Sequence, residues 1–259
     1  MTQRKTALLF FFFLAGAFAI WKSQKPTENK PTLTVYCTAS LKKPVEALAT
    51  QYEKETGTAI SLQFGGTGTL LTQLRVAKQG DLFIAADDGS LEEARKLEVT
   101  KKVLPLVIQH PVIAVAKGNP KNIQSLADLE KSEIRIALTN PETASIGKVT
   151  RRLLGSRWDT LTQKAAVMKP TVTDVASDVQ LGSVDAAIVW DSVIPQFTGL
   201  EKVTVPEISN HEENASVAVL VSTKDEKAAL QFAEYMAKGD KGPLVFKEHG
   251  FQPVSSTSR

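Results

Sequence analysis

The chain has 259 residues, 42% of them apolar, and a formal net charge of +3, enough for one large hydrophobic core or two small ones. The first 30 residues hold five basic side chains against one acidic, so the remainder carries 26 basic and 27 acidic groups, a net of −1. A body so close to neutral lacks the basic face that phosphate neutralisation needs, which excludes nucleic acid as the expected partner.

Arg4 and Lys5 precede the uncharged run "ALLFFFFLAGAFAI", which has the layout of a secretory signal. Its 14 residues are short for a membrane span, which needs ~20. Ala17 and Ala19 form an A-x-A cleavage pattern, so residues 1–21 read as a signal peptide or a retained N-terminal anchor. Residues 22–31 are charged and proline-bearing, a solvated tether. The expected location is periplasmic or otherwise extracytoplasmic. Cys37 is the only cysteine, which excludes an intramolecular disulfide, and His110, His211 and His249 lie too far apart in sequence for metal-ligand spacing.

The folded body is expected from Thr32. "LTVYC" reads as a buried strand, and Val45, Leu48, Ala49 and Tyr52 then share one helical face that ends at Gly57. "AISLQF" is the next strand, and the turn "GGTGT" leads to a helix marked by Leu70, Leu71, Leu74 and Ala77 that stops near Gly80. "DLFIAA" is a third strand, and Ser90 with Glu93 forms a capping box. "PVIAVAKGNP" is a strand running into a turn. A second α/β series follows: "IRIALT", a helix after Gly147, a stripe at Val172, Val175, Ala176 and Val179, and the strand "AAIVW". The chain returns through "KVTVPEI" and "ASVAVLVS" to a helix with Ala229, Phe232, Ala233 and Met236 on one face. The β-α-β order predicts an α/β protein of two lobes, each a mostly parallel sheet flanked by helices. Residues 32–116 and 207–259 are assigned to the first lobe and 117–206 to the second, with a two-crossing hinge near 115–120 and 203–210.

In open α/β sheets, ligands sit where strands end and helices begin. Four such turns offer hydroxyls or backbone N–H groups at a positive helix end, suited to an anion: Ser40 in "CTASLKKP", Thr67 and Thr69 in the glycine-rich turn, Ser145 to Gly147 in "TNPETASIGKVT", and Val172 in "KPTVTDVAS". The glycine-rich turn lacks the Lys-Ser/Thr pair of a Walker loop and the third glycine of a dinucleotide fingerprint. No G-x-S-x-G elbow occurs. Asp87 and Asp88 read as a solvated helix entrance, whereas Asp191, after Trp190 at a strand end, either lines the cleft or bonds a neighbouring turn.

The stretches "VYCTASLKKPVEALATQYEKETG", "FGGTGTLLTQL", "GDLFIAADD" and "GSVDAAIVWD", in this order after an export signal, resemble the molybdate-binding proteins of ABC importers. The resemblance spans about Thr32 to Phe251 and implies a type II periplasmic-binding-protein fold. It implies a tetrahedral oxyanion, molybdate or tungstate, held by the hydroxyls of Ser40 and Thr67, backbone donors near Ile146 and Val172, and a residue at the last strand end. The family's tyrosine is Trp190 here, a departure that keeps a donor but moves it. Ser145 and Asp191 are further candidates for the site. The expectation is a monomeric receptor without catalysis or cofactor that hands its ligand to an ABC permease. The alternatives are the same fold holding sulfate, thiosulfate or a metal ion through Asp191, or a secreted hydrolase using Ser40 or Ser145.

Overall fold

A computed structural model describes residues 32–254. The predicted signal and tether lie outside the described residues.

Strand β1 (Thr32–Thr38) leads through a 3-10 turn, Ala39–Leu41, into helix α1 (Lys42–Thr56). Val45, Leu48, Ala49 and Tyr52 are buried on one face of α1, as their spacing requires, and Gly57 ends the helix in the left-handed region at φ 77°. Strand β2 (Ala59–Gly65) is followed by α2 (Thr67–Ala77). That helix stops at Lys78, itself left-handed at φ 46°, ahead of Gly80, and Ala77 faces solvent rather than the core. Strand β3 (Leu82–Ala85) precedes α3 (Asp88–Lys96). Here the expected capping box gives way to Asp87, whose carboxylate accepts from Ser90 N at 2.7 Å; a charged acceptor at the N-cap takes the orphan donor one turn early.

The chain continues through β4 (Thr100–Gln109), β5 (Pro111–Ala116), β6 (Ile136–Thr139), α4 (Ser145–Leu154), α5 (Ser156–Lys164), β7 (Val167–Lys169), α6 (Val172–Gln180) and β8 (Ala186–Trp190). A 3-10 turn, Asp191–Gln196, leads to β9 (Leu200–Val203), α7 (Pro206–Ser209), β10 (Glu213–Leu220), α8 (Glu226–Ala237), α9 (Lys241–Glu248) and β11 (Gln252–Pro253).

Two sheets result, ordered β11-β4-β10-β3-β1-β2 and β7-β6-β8-β5-β9. Each is mixed rather than mostly parallel. Strands β2, β1 and β3 run parallel in the first and β7, β6 and β8 in the second, while β10, β4 and β11, or β5 and β9, join antiparallel. Parallel neighbours need a crossover helix; β5 and β10 arrive straight from the other lobe and have none before them. The outward crossing falls at His110, because Pro111–Ala116 pairs with β8 and β9 in the second sheet. Residues 111–116 therefore leave the first lobe to which the sequence reading assigned them. The return crossing lies between Ser209 and Glu213, since Ile208 is buried in the second lobe's core, so residues 207–209, also assigned to the first lobe, belong to the second. That core gathers β5, β6, β8, α4 and α6, and the first lobe packs its helices on both faces of its own sheet.

Candidate functional site

In the first lobe, the ends of β1, β2 and β3 are tied together by hydroxyl groups. Thr67, the first residue of α2, donates from Oγ1 to Thr38 Oγ1 at 3.2 Å and accepts from Ala86 N at 3.4 Å. Ser40 sits in the 3-10 turn after β1, wholly buried, and its Oγ has no partner. The N-cap of α2 is Gly66, which has no side chain to satisfy the first turn of that helix, so its leading N–H groups depend on outside acceptors.

In the second lobe, Ser145, Ile146 and Gly147 form the buried first turn of α4, capped by no side chain because Ala144 stands at the N-cap. A Cβ at Gly147 would lie 2.3 Å from the Thr139 carbonyl, so only glycine lets α4 start directly over the end of β6. At α6, Thr171 accepts from Asp174 N at 3.2 Å, and Val172 follows, buried, as the first helical residue. Trp190 ends β8 with no exposed surface, and its Nε1 has no partner. Asp191 is committed to the hinge: Oδ1 accepts from His110 N at 3.0 Å and Ser192 N at 2.9 Å. Of the two roles open to it from sequence, the structure gives it the bond to a neighbouring turn.

The two lobes meet across these turns. Gly68 N and Thr69 N donate to the Thr143 carbonyl at 2.9 and 3.2 Å. A Cβ at Gly66 would stand 2.2 Å from that oxygen and 2.7 Å from the Pro170 carbonyl. The Ala39–Leu41 turn packs on α6, and Gln196 Nε2, just beyond Trp190, donates to Ser40 O at 2.8 Å. The turns carrying Ser40, Thr67 and Val172 thus meet at one interlobe seam, with the start of α4 two residues beyond Thr143, whereas Trp190 packs in the second lobe's core. Three participants had not been singled out from sequence: Thr38, Thr143 through its carbonyl, and Gln196. Thr38 lay inside a quoted turn, but Gln196 belongs to no motif and carried no signal.

Ser40 Oγ, Trp190 Nε1 and Thr139 Oγ1, each at or just after a strand end, are buried hydrogen-bond donors without a partner, and Asp87 Oδ2 is a buried acceptor without one. Each buried donor left unpaired costs about 1–3 kcal/mol, a cost that an acceptor ligand between the lobes would remove. Among the described residues no histidine bonds Ser40 Oγ: His110 Nδ1 bonds the His211 carbonyl, His211 Nε2 bonds Glu213, and His249 Nδ1 bonds the Val245 carbonyl.

Acidic side chains lie toward the hinge. Asp88 is exposed as expected of a helix entrance, but Asp87 is buried, and burial pushes its carboxyl up. Glu213, also buried, bonds Arg152 of α4 at 2.6 Å, His211 at 2.6 Å and the Asp88 N–H at 3.0 Å. Burial alone would raise its carboxyl, but the bonds from His211, Asp88 N–H and Arg152 outweigh it and hold the group below the usual glutamate range. A lowered folded pKa means this stability is present above the unfolded value of about 4.3 and is lost as pH falls through the folded pKa. Glu213→Gln should therefore cost roughly 1–2 kcal/mol at pH 7, a moderate sum because Arg152 stays half solvated. In thermal melts that is a drop of about 2–8 °C, shrinking as pH falls through the lowered pKa of Glu213; a drop that stays the same size throughout an acid titration would refute the ionic pairing.

A family model described as bacterial extracellular solute-binding protein matches residues 33–252. A protein of Haemophilus influenzae named only as a binding protein is 29% identical over 224 residues, covering 86% of this chain and 91% of that protein. The molybdate-binding protein ModA of Escherichia coli is 29% identical over 248 residues, covering 92% and 94%. Among solved structures, the periplasmic molybdate-binding protein of Azotobacter vinelandii superposes with a TM-score of 0.71 at 22% identity, over 85% of this chain and 98% of its own. That last likeness concerns the two-lobed α/β fold.

Proposed function

We propose, from the premise that the chain belongs to the bacterial extracellular solute-binding protein family, that it captures a tetrahedral oxyanion between its lobes and delivers it to an ABC permease, without chemistry of its own. Molybdate is the ligand this reading favours, with tungstate beside it. The observation that carries it is the pair of buried, unpartnered donors, Ser40 Oγ just after β1 and Trp190 Nε1 at the end of β8, together with the start of α4, which no side chain caps. A dianion there is bound by donors alone. Each hydrogen bond to a charged oxygen contributes about 1.5–3 kcal/mol, so five to seven, a number assumed for such a ligand, give a gross ~10–20 kcal/mol. Association costs at least ~4 kcal/mol, which leaves micromolar to nanomolar affinity. The name of the Escherichia coli relative supports the same ligand, and the N-terminal apolar run supports export.

Sulfate or thiosulfate is a second reading. The observation favouring it is Trp190, fully buried where the resemblance implies a tyrosine, because an indole is bulkier than a phenol and narrows the pocket toward a smaller ligand.

Calorimetric titration of residues 31–259 with molybdate, tungstate, sulfate and phosphate separates the two. One-site saturation by molybdate, tighter than by sulfate, is expected. Ser40→Ala and Thr67→Ala should each weaken it by about 1–3 kcal/mol. Thr67→Ala should show the smaller loss, since its hydroxyl is already shared with Thr38 and Ala86. No heat with any of the four anions would end the oxyanion reading.

A further inference from the structure

Gln196 closes the 3-10 turn after β8 and reaches the other lobe with both ends of the residue. Its side-chain Nε2 donates to the Ser40 carbonyl at 2.8 Å and to Ser192 O of its own turn at 3.1 Å. Its backbone carbonyl accepts from Lys43 Nζ at 2.7 Å. Ser40 and Lys43 flank the start of α1 in the first lobe, so one residue of the second lobe grips two successive turns of the first. Immediately outside lies an opening of about 400 Å³ between the lobes, lined by Ala39, Lys43, Phe64, Thr173, Gln196 and Phe197 among others. Gln196 thus borders that opening on one side and holds the peptide of Ser40 on the other.

We propose that Gln196, assisted by Lys43, is the latch of the closed form: it positions Ser40 and sets how long a ligand is retained, without touching the ligand itself. The retention half of this inference rests on the oxyanion reading above; the closing half does not. A neutral amide suits the task. It donates to a carbonyl without placing a negative charge beside an anion, as a glutamate would, and its bonds are made only when the lobes meet. Interactions present in one state alone are the ones that shift a two-state equilibrium. Because Gln196 and Lys43 bond the opposite lobe only on closure, their loss should act on opening and release, and little on encounter.

The test uses the full chain in two arms. In the first, without any oxyanion, spin labels on Lys54→Cys and Ser132→Cys, both exposed and one in each lobe, report the interlobe distance. Cys37 stays unlabelled because it is buried and burial pushes its thiol far up. Gln196→Ala should shift the distribution to longer distances by several ångströms, and Lys43→Met should do so less. In the second arm, stopped-flow tryptophan fluorescence with molybdate should show release about tenfold faster for Gln196→Ala, the equivalent of one lost hydrogen bond, with association changed less than about twofold. Gln196→Glu should also release faster. Unchanged distances in both variants overturn the latch whatever the ligand proves to be. Unaltered release at wild-type affinity overturns its role in retention. If wild-type protein binds no molybdate, the molybdate reading fails, and the distance arm alone decides the latch. Lys43→Met alters an exposed side chain and guards against a folding defect in the Gln196 variants.

Discussion

A Gly66→Ala variant is expected to fold normally and to lose at least about 100-fold in oxyanion affinity, roughly 2.7 kcal/mol. The backbone of Gly66, at φ −69° and ψ 144°, suits alanine as well as glycine, so local strain is not the cause. The three atoms nearest an added Cβ all belong to the other lobe: the Thr143 carbonyl oxygen at 2.2 Å, the Pro170 carbonyl oxygen at 2.7 Å and the Thr143 carbonyl carbon at 3.0 Å. Backbone cannot yield by that much inside a packed lobe, so the lobes must stay apart by more than about 1 Å. Hydrogen bonds weaken steeply over such a displacement, and donors on α4 and α6 can no longer act together with Ser40 and Thr67. The melting temperature should stay within about 2 °C of wild type, as for a substitution that disturbs neither core. Gly65→Ala is the control, because its Cβ meets Leu70 of the same lobe at 3.2 Å. X-ray scattering should give Gly66→Ala a larger radius of gyration than wild type, both without ligand and at saturating molybdate. Wild-type affinity in this variant would mean that the bound form is not the seam described above.

Trp190 should divide packing from recognition. Among the described residues it is the largest wholly buried side chain, at the end of β8 within the second lobe's core. Trp190→Ala should therefore destabilise by roughly 3–5 kcal/mol through the cavity it leaves, a fall in melting temperature of about 6–20 °C. Trp190→Phe retains most of the ring and deletes Nε1, a buried donor without a partner. Removing an unpartnered polar atom costs the fold little, so stability should change by less than ~1 kcal/mol, while affinity falls about tenfold or more if the indole N–H meets the ligand. The ligand-dependent fluorescence change should vanish in the same variant. Trp158, buried in α5 as part of the second lobe's core, remains as an internal reference. Full affinity in Trp190→Phe would reduce Trp190 to a wall of the pocket.

The expected faces of α1, α6 and α8 coincide with the observed buried residues, because helical and strand periodicities are local and a single segment's apolar spacing suffices to set them. The strand-to-helix turns holding Ser40, Thr67, Ile146 and Val172 were legible for the same reason: glycine, hydroxyl and turn residues mark where one periodicity gives way to another. Other features depended on pairings that no local pattern encodes. Val112 to Val115 would suit either sheet by periodicity, and only hydrogen bonding to β8 and β9 places them in the second lobe. Asp87 reads as a solvated cap until β10 and α4 bury it, with Glu213 and Lys148 close enough to act on its charge. Gln196 has no motif, and its importance comes from meeting Ser40, 156 positions earlier. Local spacing determined the elements and the turns between them; the meeting of one lobe with the other decided which of those turns share a seam and which backbone must be glycine there.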